Sequence, residues 1–160
     1  MKAIVAFSFG RIGNRPNLSS AQIAVMIARR IHQHASAQYV VIAQWEVAQV
    51  LKKEGIVCDH IVTMKAEGYL SSRDVAEAAF GYISDKALCL DEVFAAAHPD
   101  HVARCVLCLR NAGMERATPL TDESIGYDPN STEVWVRSRR KFLLREMLAI
   151  PLYMLRGEYK

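Results

Sequence analysis

The chain has 160 residues, 51% of them apolar and 23% charged, with a formal net charge of +3. That is enough apolar material for one core and a single domain, residues 1–160, and too mild a charge to imply a nucleic-acid partner. No apolar run approaches the ~20 residues that span a bilayer, and Met1-Lys2 leads into a strand rather than a signal peptide, so a cytoplasmic protein without a membrane span is expected.

Lys2 to Phe9 (KAIVAFSF) is apolar with almost no alternation, the pattern of a strand buried on both faces. Gly10 to Asn17 (GRIGNRPN) reads as a loop. Ser19 or Ser20 can cap the next helix, in which Ile23, Ile27 and Ile31 recur every four residues. Tyr39 to Ala43 is a second strand, Glu46 to Glu54 a short helix ended by Gly55, and Ile61 to Met64 a third strand. Lys65 to Ser71 is a loop, after which Ser71 or Ser72 caps a helix through Ile83.

The rest of the chain is organised around Glu92 to Gly113. Val93 to Ala97 is an uncharged apolar strand, and Pro99 and Asp100 then turn the chain into a helix bearing His101 and Arg104. Proline fits a first turn, where its missing N–H is not needed, and Gly113 stops the helix. Ala117 to Leu120 is a fifth strand and Thr121 to Ser131 an exposed polar loop. Thr132 with Glu133 opens a last helix to Ile150, before Pro151 and a C-terminal tail, 151–160. Repeated strand–helix alternation predicts an α/β fold: a single-domain, Rossmann-like three-layer sandwich. Its mostly parallel sheet has about five strands in the order 3-2-1-4-5, with helices on both faces.

In a parallel sheet the loops after the strands share one edge, where open α/β folds build ligand sites. Those loops bring Ser8, Gly10, Arg11, Gly13, Asn14 and Arg15 after the first strand, and Gln44, Trp45 and Glu46 after the second. Glu67 and Ser71 to Asp74 follow the third, and His98, His101 and Arg104 the fourth. Helix amino termini and guanidinium groups favour a small anionic ligand, phosphate or carboxylate. Gly10-x-x-Gly13 is not the dinucleotide fingerprint, and no acidic residue closes the second strand at the ribose position unless Glu46 serves. The glycines either permit a tight turn or contact phosphate.

One reading is an enzyme acting on a phosphorylated or anionic metabolite. Arg11, Arg73 and Arg104 hold the anion, His101 is general acid or base, and Glu67 or Asp74 orients it or binds a metal. Gly10, Asn14, Ser72 and His98 complete the ligand contacts. Asp74, in a helix's first turn, can equally serve the helix dipole alone. The alternatives are a non-catalytic binding protein for S-adenosylmethionine or a nucleotide, with Trp45 as a stacking surface, and a scaffold with a decayed site. No G-x-S-x-G elbow and no Walker loop is present.

The four cysteines, Cys58, Cys89, Cys105 and Cys108, read as buried thiols of a reducing compartment. Cys105-x-x-Cys108 begins inside its helix, whereas a redox pair sits at a helix amino end. A zinc set of His98, His101, Cys105 and Cys108 lacks knuckle spacing, and no metal ligands are assigned. In the terminal helix Trp135, Phe142, Leu143, Met147 and Ile150 are expected on the sheet. Arg137, Arg139, Arg140, Lys141 and Arg145 then stay in water; a basic face for nucleic acid or an anionic membrane is the alternative.

The succession AIVAFSFG, SSRDVAEAA, HPDHVARCVLCLRNAGM and LREMLAIPLYMLRGEY resembles the YdcF/SanA-like family of small bacterial α/β proteins. The matching positions are Gly10, Ser72, Arg73, Asp74 (an acid shortened from Glu), Ala76, His101, Arg104 and Gly113, then Glu146, Leu148, Ala149 and Tyr153. Ala43-Gln44-Trp45 stands where the family has Ser-Gly-Gly, and Val75 where it has Asn. The resemblance implies a Rossmann-like fold, a site at the loops named above and, from one type of member, S-adenosylmethionine or a nucleotide-like ligand. Other members act at the cell envelope through a membrane anchor, which is not expected here.

Overall fold

Ala3, Val5 and Phe7 face one side of the first strand and Ile4 and Ala6 the other, and all five are buried. A strand greasy on both faces needs helices above and below it, and the chain supplies them. The computed structural model describes residues 1–63 and 70–155, with side chains as far as Leu148. In chain order these form β1 (Lys2–Ala6), a small hairpin of β2 (Arg11–Ile12) and β3 (Arg15–Pro16), α1 (Leu18–Gln33), β4 (Tyr39–Gln44) and α2 (Trp45–Lys53). Then come β5 (His60–Val62), α3 (Ser72–Asp85), β6 (Glu92–Ala96), α4 (Pro99–Asn111), β7 (Ala117–Leu120), a 3-10 turn (Val134–Arg137) and α5 (Arg139–Leu155).

The sheet order is β5-β4-β1-β6-β7 with every neighbour parallel, which is the expected 3-2-1-4-5 arrangement. On one face, Val75 and Ala79 of α3 and Val102, Cys105 and Leu109 of α4 pack on Ala3, Val5 and Ile42. On the other, Ile23 and Ile27 of α1, Val47 and Leu51 of α2 and Phe142 of α5 pack on Ile4, Ala6 and Val41. Each fully buried Ile or Leu contributes roughly 1.5–3 kcal/mol. The chain leaves β1 toward β4 and β5, then returns to the opposite side for β6 and β7. The switch point therefore lies between β1 and β6, where a crevice opens at the strands' carboxyl ends. No helix among the described residues is long and apolar enough to cross a membrane.

Several local expectations change. β1 stops at Ala6, although the Phe7 N–H still reaches Ala96 O at 2.9 Å, and the loop from Gly10 contains the β2–β3 hairpin. Asn17, rather than Ser19 or Ser20, caps α1: its Oδ1 accepts the Ser20 N–H at 2.9 Å while its Nδ2 donates to Phe9 O at 2.8 Å. Ser20 is turned inward, its hydroxyl donating to Gly10 O at 2.8 Å and accepting the Phe9 N–H at 3.0 Å. The serines serve the loop because Asn17 already serves the helix. Asn17→Ala is expected to lower stability by about 1–2 kcal/mol in a urea titration, a lost cap with a buried carbonyl left unpaired.

Thr121 to Ser131 is not an exposed loop, since Ile125, Asp128 and Ser131 are buried. Asp128 Oδ2 accepts the Leu18 N–H at 2.8 Å, the Ser19 hydroxyl donates to Gly126 O at 2.6 Å, and the Tyr127 hydroxyl donates to Asp100 Oδ2 at 2.7 Å. Its polar residues satisfy buried groups of other elements, so polarity here does not signal exposure. Glu133 does not open an α-helix either. The 3-10 turn follows it, Ser138 is extended, and only then does α5 begin, continuing past Pro151.

Phe142 docks as expected, but Leu143 and Met147 are 43% and 72% exposed, because the break at Ser138 rotates α5 relative to one continuous helix. The side chain of Ile150 lies outside the described residues. Cys105 and Cys108 are buried, whereas Cys58 is half-buried and Cys89, in the link between α3 and β6, is exposed. Gly113 does end the segment after α4: its φ is +106°, and a Cβ there would meet the Phe80 ring at 2.8 Å.

Candidate functional site

The segments after β1 and β4, the first turns of α3 and α4, and Glu133 from the far end of the chain meet at the carboxyl edge of the sheet. Gly10, Arg11, Glu46, Ser72, His101 and Arg104 line a cleft there, with Gln44 and Glu133. Its volume is about 50 Å³, room for roughly three to five waters or one compact polar group. Gly10 sits at the closest approach: its φ is +97°, and a Cβ would meet Val136 at 2.6 Å and Asn17 at 2.7 Å. Only glycine fits that corner.

One wall is a chain of polar contacts. Arg104 Nη1 pairs with Glu146 Oε1 of α5 at 2.9 Å, and Arg104 Nη2 lies 3.1 Å from His101 Nδ1. His101 Nε2 lies 3.2 Å from Ser72 Oγ. An arginine has only donors, so Nδ1 must accept, which places the ring proton on Nε2 and makes His101 a donor to Ser72. Burial, then the adjacent Arg104, holds the His101 pKa well below the usual range, so the ring stays neutral. Donation thus runs one way, from Arg104 through His101 to Ser72. Cys105 behind it shares that hydroxyl.

The opposite wall carries the carboxyls. Glu46 sits in the first turn of α2 and is 3% exposed. Its own backbone N–H and the Ser8 hydroxyl hold the group, while Oε2 has no hydrogen-bond partner. Burial pushes its pKa up to about 7, with Glu133 adding to the rise and Arg11 opposing it. Glu133 is raised for the same reason, against the pull of Arg11 and Arg145. Gln44 Oε1 accepts the Ser8 N–H at 3.1 Å, which fixes the loop between the walls.

Of the residues expected from the sequence, Gly10, Arg11, Ser72, His101 and Arg104 meet in this cleft. Others lie elsewhere. Asn14 is exposed in the hairpin turn. Arg73 is more than half exposed and pairs with Glu77 at 2.6 Å. Asp74 forms a capping box with Ser71, accepting the Ser71 N–H at 2.9 Å and donating its own N–H to Ser71 Oγ.

Trp45 packs half-buried against the core. His98 caps α4 through Nδ1, stacks on Phe9 at 3.9 Å between centroids and is pushed down to about 4 by burial. Glu67 lies outside the described residues. Gln44 and Glu46, expected at this edge, line the cleft as well, and Glu133 is the addition. Glu46 had a visible signal, an acid just past a buried strand, whereas Glu133 had none.

Each of four helix starts already carries a carboxylate: Asp128 on the Leu18 N–H of α1, Glu46 on α2, Asp74 on α3 and Asp100 on α4. The amino end of α1, where a Rossmann dinucleotide rests its pyrophosphate, is therefore occupied by the protein itself. Among the described residues no group of three or more His, Cys, Asp or Glu side chains is placed to hold a metal ion.

Sheet order and cleft together define a Rossmann-like α/β protein with a compact polar site at the switch-point edge. No family model and no curated protein matches the sequence. Among solved structures the chain is similar to glycinamide ribonucleotide transformylase 1 from Symbiobacterium toebii, with a TM-score of 0.39 and 15% identity. The match covers 74% of this chain and 50% of that one, so the chain spans about half the length of that enzyme.

Proposed function

We propose that this protein, a divergent relative of the YdcF/SanA-like family, binds a compact anionic metabolite in the cleft and acts on it. The observation that carries this reading is the one-way donation from Arg104 through His101 to Ser72. It holds the Ser72 hydroxyl on the cleft wall with a buried cation behind it. Hydrogen bonds aligned in one direction polarise each other, and an anion is the partner that gains most. Arg11 lines the same cleft. An adenine ligand held in the dinucleotide manner is disfavoured, because Asp128 fills the α1 start and Trp45 lies half-buried against the core.

Inorganic sulfate is a suitable probe, since its charge does not change between pH 5 and 9. Titration calorimetry at low ionic strength is expected to show saturable binding that weakens at least tenfold in Ser72→Ala. A hydrogen bond to a charged group is worth about 1.5–3 kcal/mol. Equal affinity in wild type, Ser72→Ala and Arg11→Ala would remove the cleft from anion binding.

A further inference from the structure

We propose that Glu46 is the general acid of this cleft, a protonated carboxyl that donates from Oε2 to the bound anion. The inference rests on the cleft being the anion site and assigns it a reaction class, proton transfer. The geometry supports it in three ways. Glu46 is almost fully enclosed, yet one oxygen of its carboxyl has no hydrogen-bond partner. A carboxyl buried that deeply with an unpartnered oxygen is either costly or in use. It lines the same small cleft as Ser72 and Arg11, so a ligand held by them lies beside it.

The other candidates are committed elsewhere. His101 has its Nδ1 lone pair taken by Arg104 and its proton directed to Ser72. Asp74 is held in its capping box. Glu133 is also raised by burial, but it is only half-buried and two cations, Arg11 and Arg145, oppose the rise.

The groups facing Glu46 are the Ser8 hydroxyl, its own backbone N–H, Arg11 of β2 and Glu133 just before the 3-10 turn. Burial and Glu133 keep the proton on, and an arriving anion strengthens that hold. In the transfer, the Oε2 proton moves to an oxygen or nitrogen of the ligand. The carboxylate left behind is stabilised by the Ser8 hydroxyl, the backbone N–H and Arg11, and a solvent proton restores it.

The test is carboxyl carbon NMR on protein labelled at glutamate, with the Glu46 signal assigned by its loss in Glu46→Gln. The expected result is a midpoint about two pH units above the exposed glutamates that rises further with saturating sulfate. Sulfate affinity then falls about tenfold between pH 6 and 8 in wild type and far less in Glu46→Gln. An ordinary glutamate midpoint would overturn the assignment outright. A raised midpoint unmoved by bound sulfate would overturn it while leaving the anion site standing. Absence of sulfate binding in both proteins would bring down the anion site and this inference together.

Discussion

Glu46→Gln is expected to stabilise the folded protein by about 3 kcal/mol at pH 8, with most of that gain gone at pH 5 and all of it by pH 4. Burial raises the Glu46 pKa from an ordinary 4.5 to about 7, so the folded state holds this proton more tightly than the unfolded chain. A raised carboxyl costs nothing below its unfolded pKa. The cost accumulates as pH rises through the interval between 4.5 and 7 and is constant above it. Every tenfold gain in proton affinity corresponds to about 1.4 kcal/mol, which sets the size of the effect. Glutamine has the shape of the protonated acid and never ionises, so it escapes the cost. Urea titrations of both proteins at pH 4, 5 and 8 check this, and an equal stability difference at all three would show that Glu46 ionises normally. A residue that lowers stability at working pH is held for some other reason, as proton-transfer groups are.

The second large effect is expected at Glu146. Its carboxylate takes Arg104 at 2.9 Å and Arg145 at 3.3 Å, and the Arg104 and Glu146 side chains are only 13% and 10% exposed. Glu146→Ala removes the buried carboxylate that Arg104 and Arg145 share and should cost about 3–5 kcal/mol. Glu146→Gln, which keeps an acceptor, should cost less. Arg73 and Glu77 provide the contrast: their contact is shorter, 2.6 Å, but both side chains are more than half exposed. Glu77→Ala should therefore change stability by less than about 1 kcal/mol. Thermal and urea unfolding of the three variants would test whether burial, not contact length, sets the value of an ion pair here. Glu146→Ala should also weaken sulfate binding, because Arg104 then loses the support that aligns it with His101 and, through the ring, with Ser72.

Five short apolar segments were enough to predict the strands, and right-handed crossovers left few orders, of which the Rossmann-like 3-2-1-4-5 was the first choice. Those signals are local: side chains three to seven residues apart decide whether a segment suits a sheet or a helix face. Gly113 and the pairing of Pro99 with a helix start were legible for the same reason. The errors cluster where one polar residue could serve either of two neighbours. Asn17 took the α1 cap, so Ser19 and Ser20 were free to hold the loop and Gly126. Thr121 to Ser131 looked like surface because its polar atoms find partners only when α1 and α4 are beside it.

The cleft divides in the same way. Parallel strands place Gly10, Arg11, Ser72, His101 and Arg104 at one edge, and that placement followed from the order of elements alone. Sequence by itself thus determined the three-layer α/β sandwich and the edge at which the polar cleft opens, since both depend on patterns within single segments. Only the tertiary structure decided the chemistry. Asp128 occupies the α1 start from over a hundred residues away, Glu146 anchors Arg104, Glu133 loads Glu46, and Arg104 sets the tautomer of His101. Charge, proton position and burial are set by groups close in space, and no periodicity along a chain encodes which distant carboxylate will arrive.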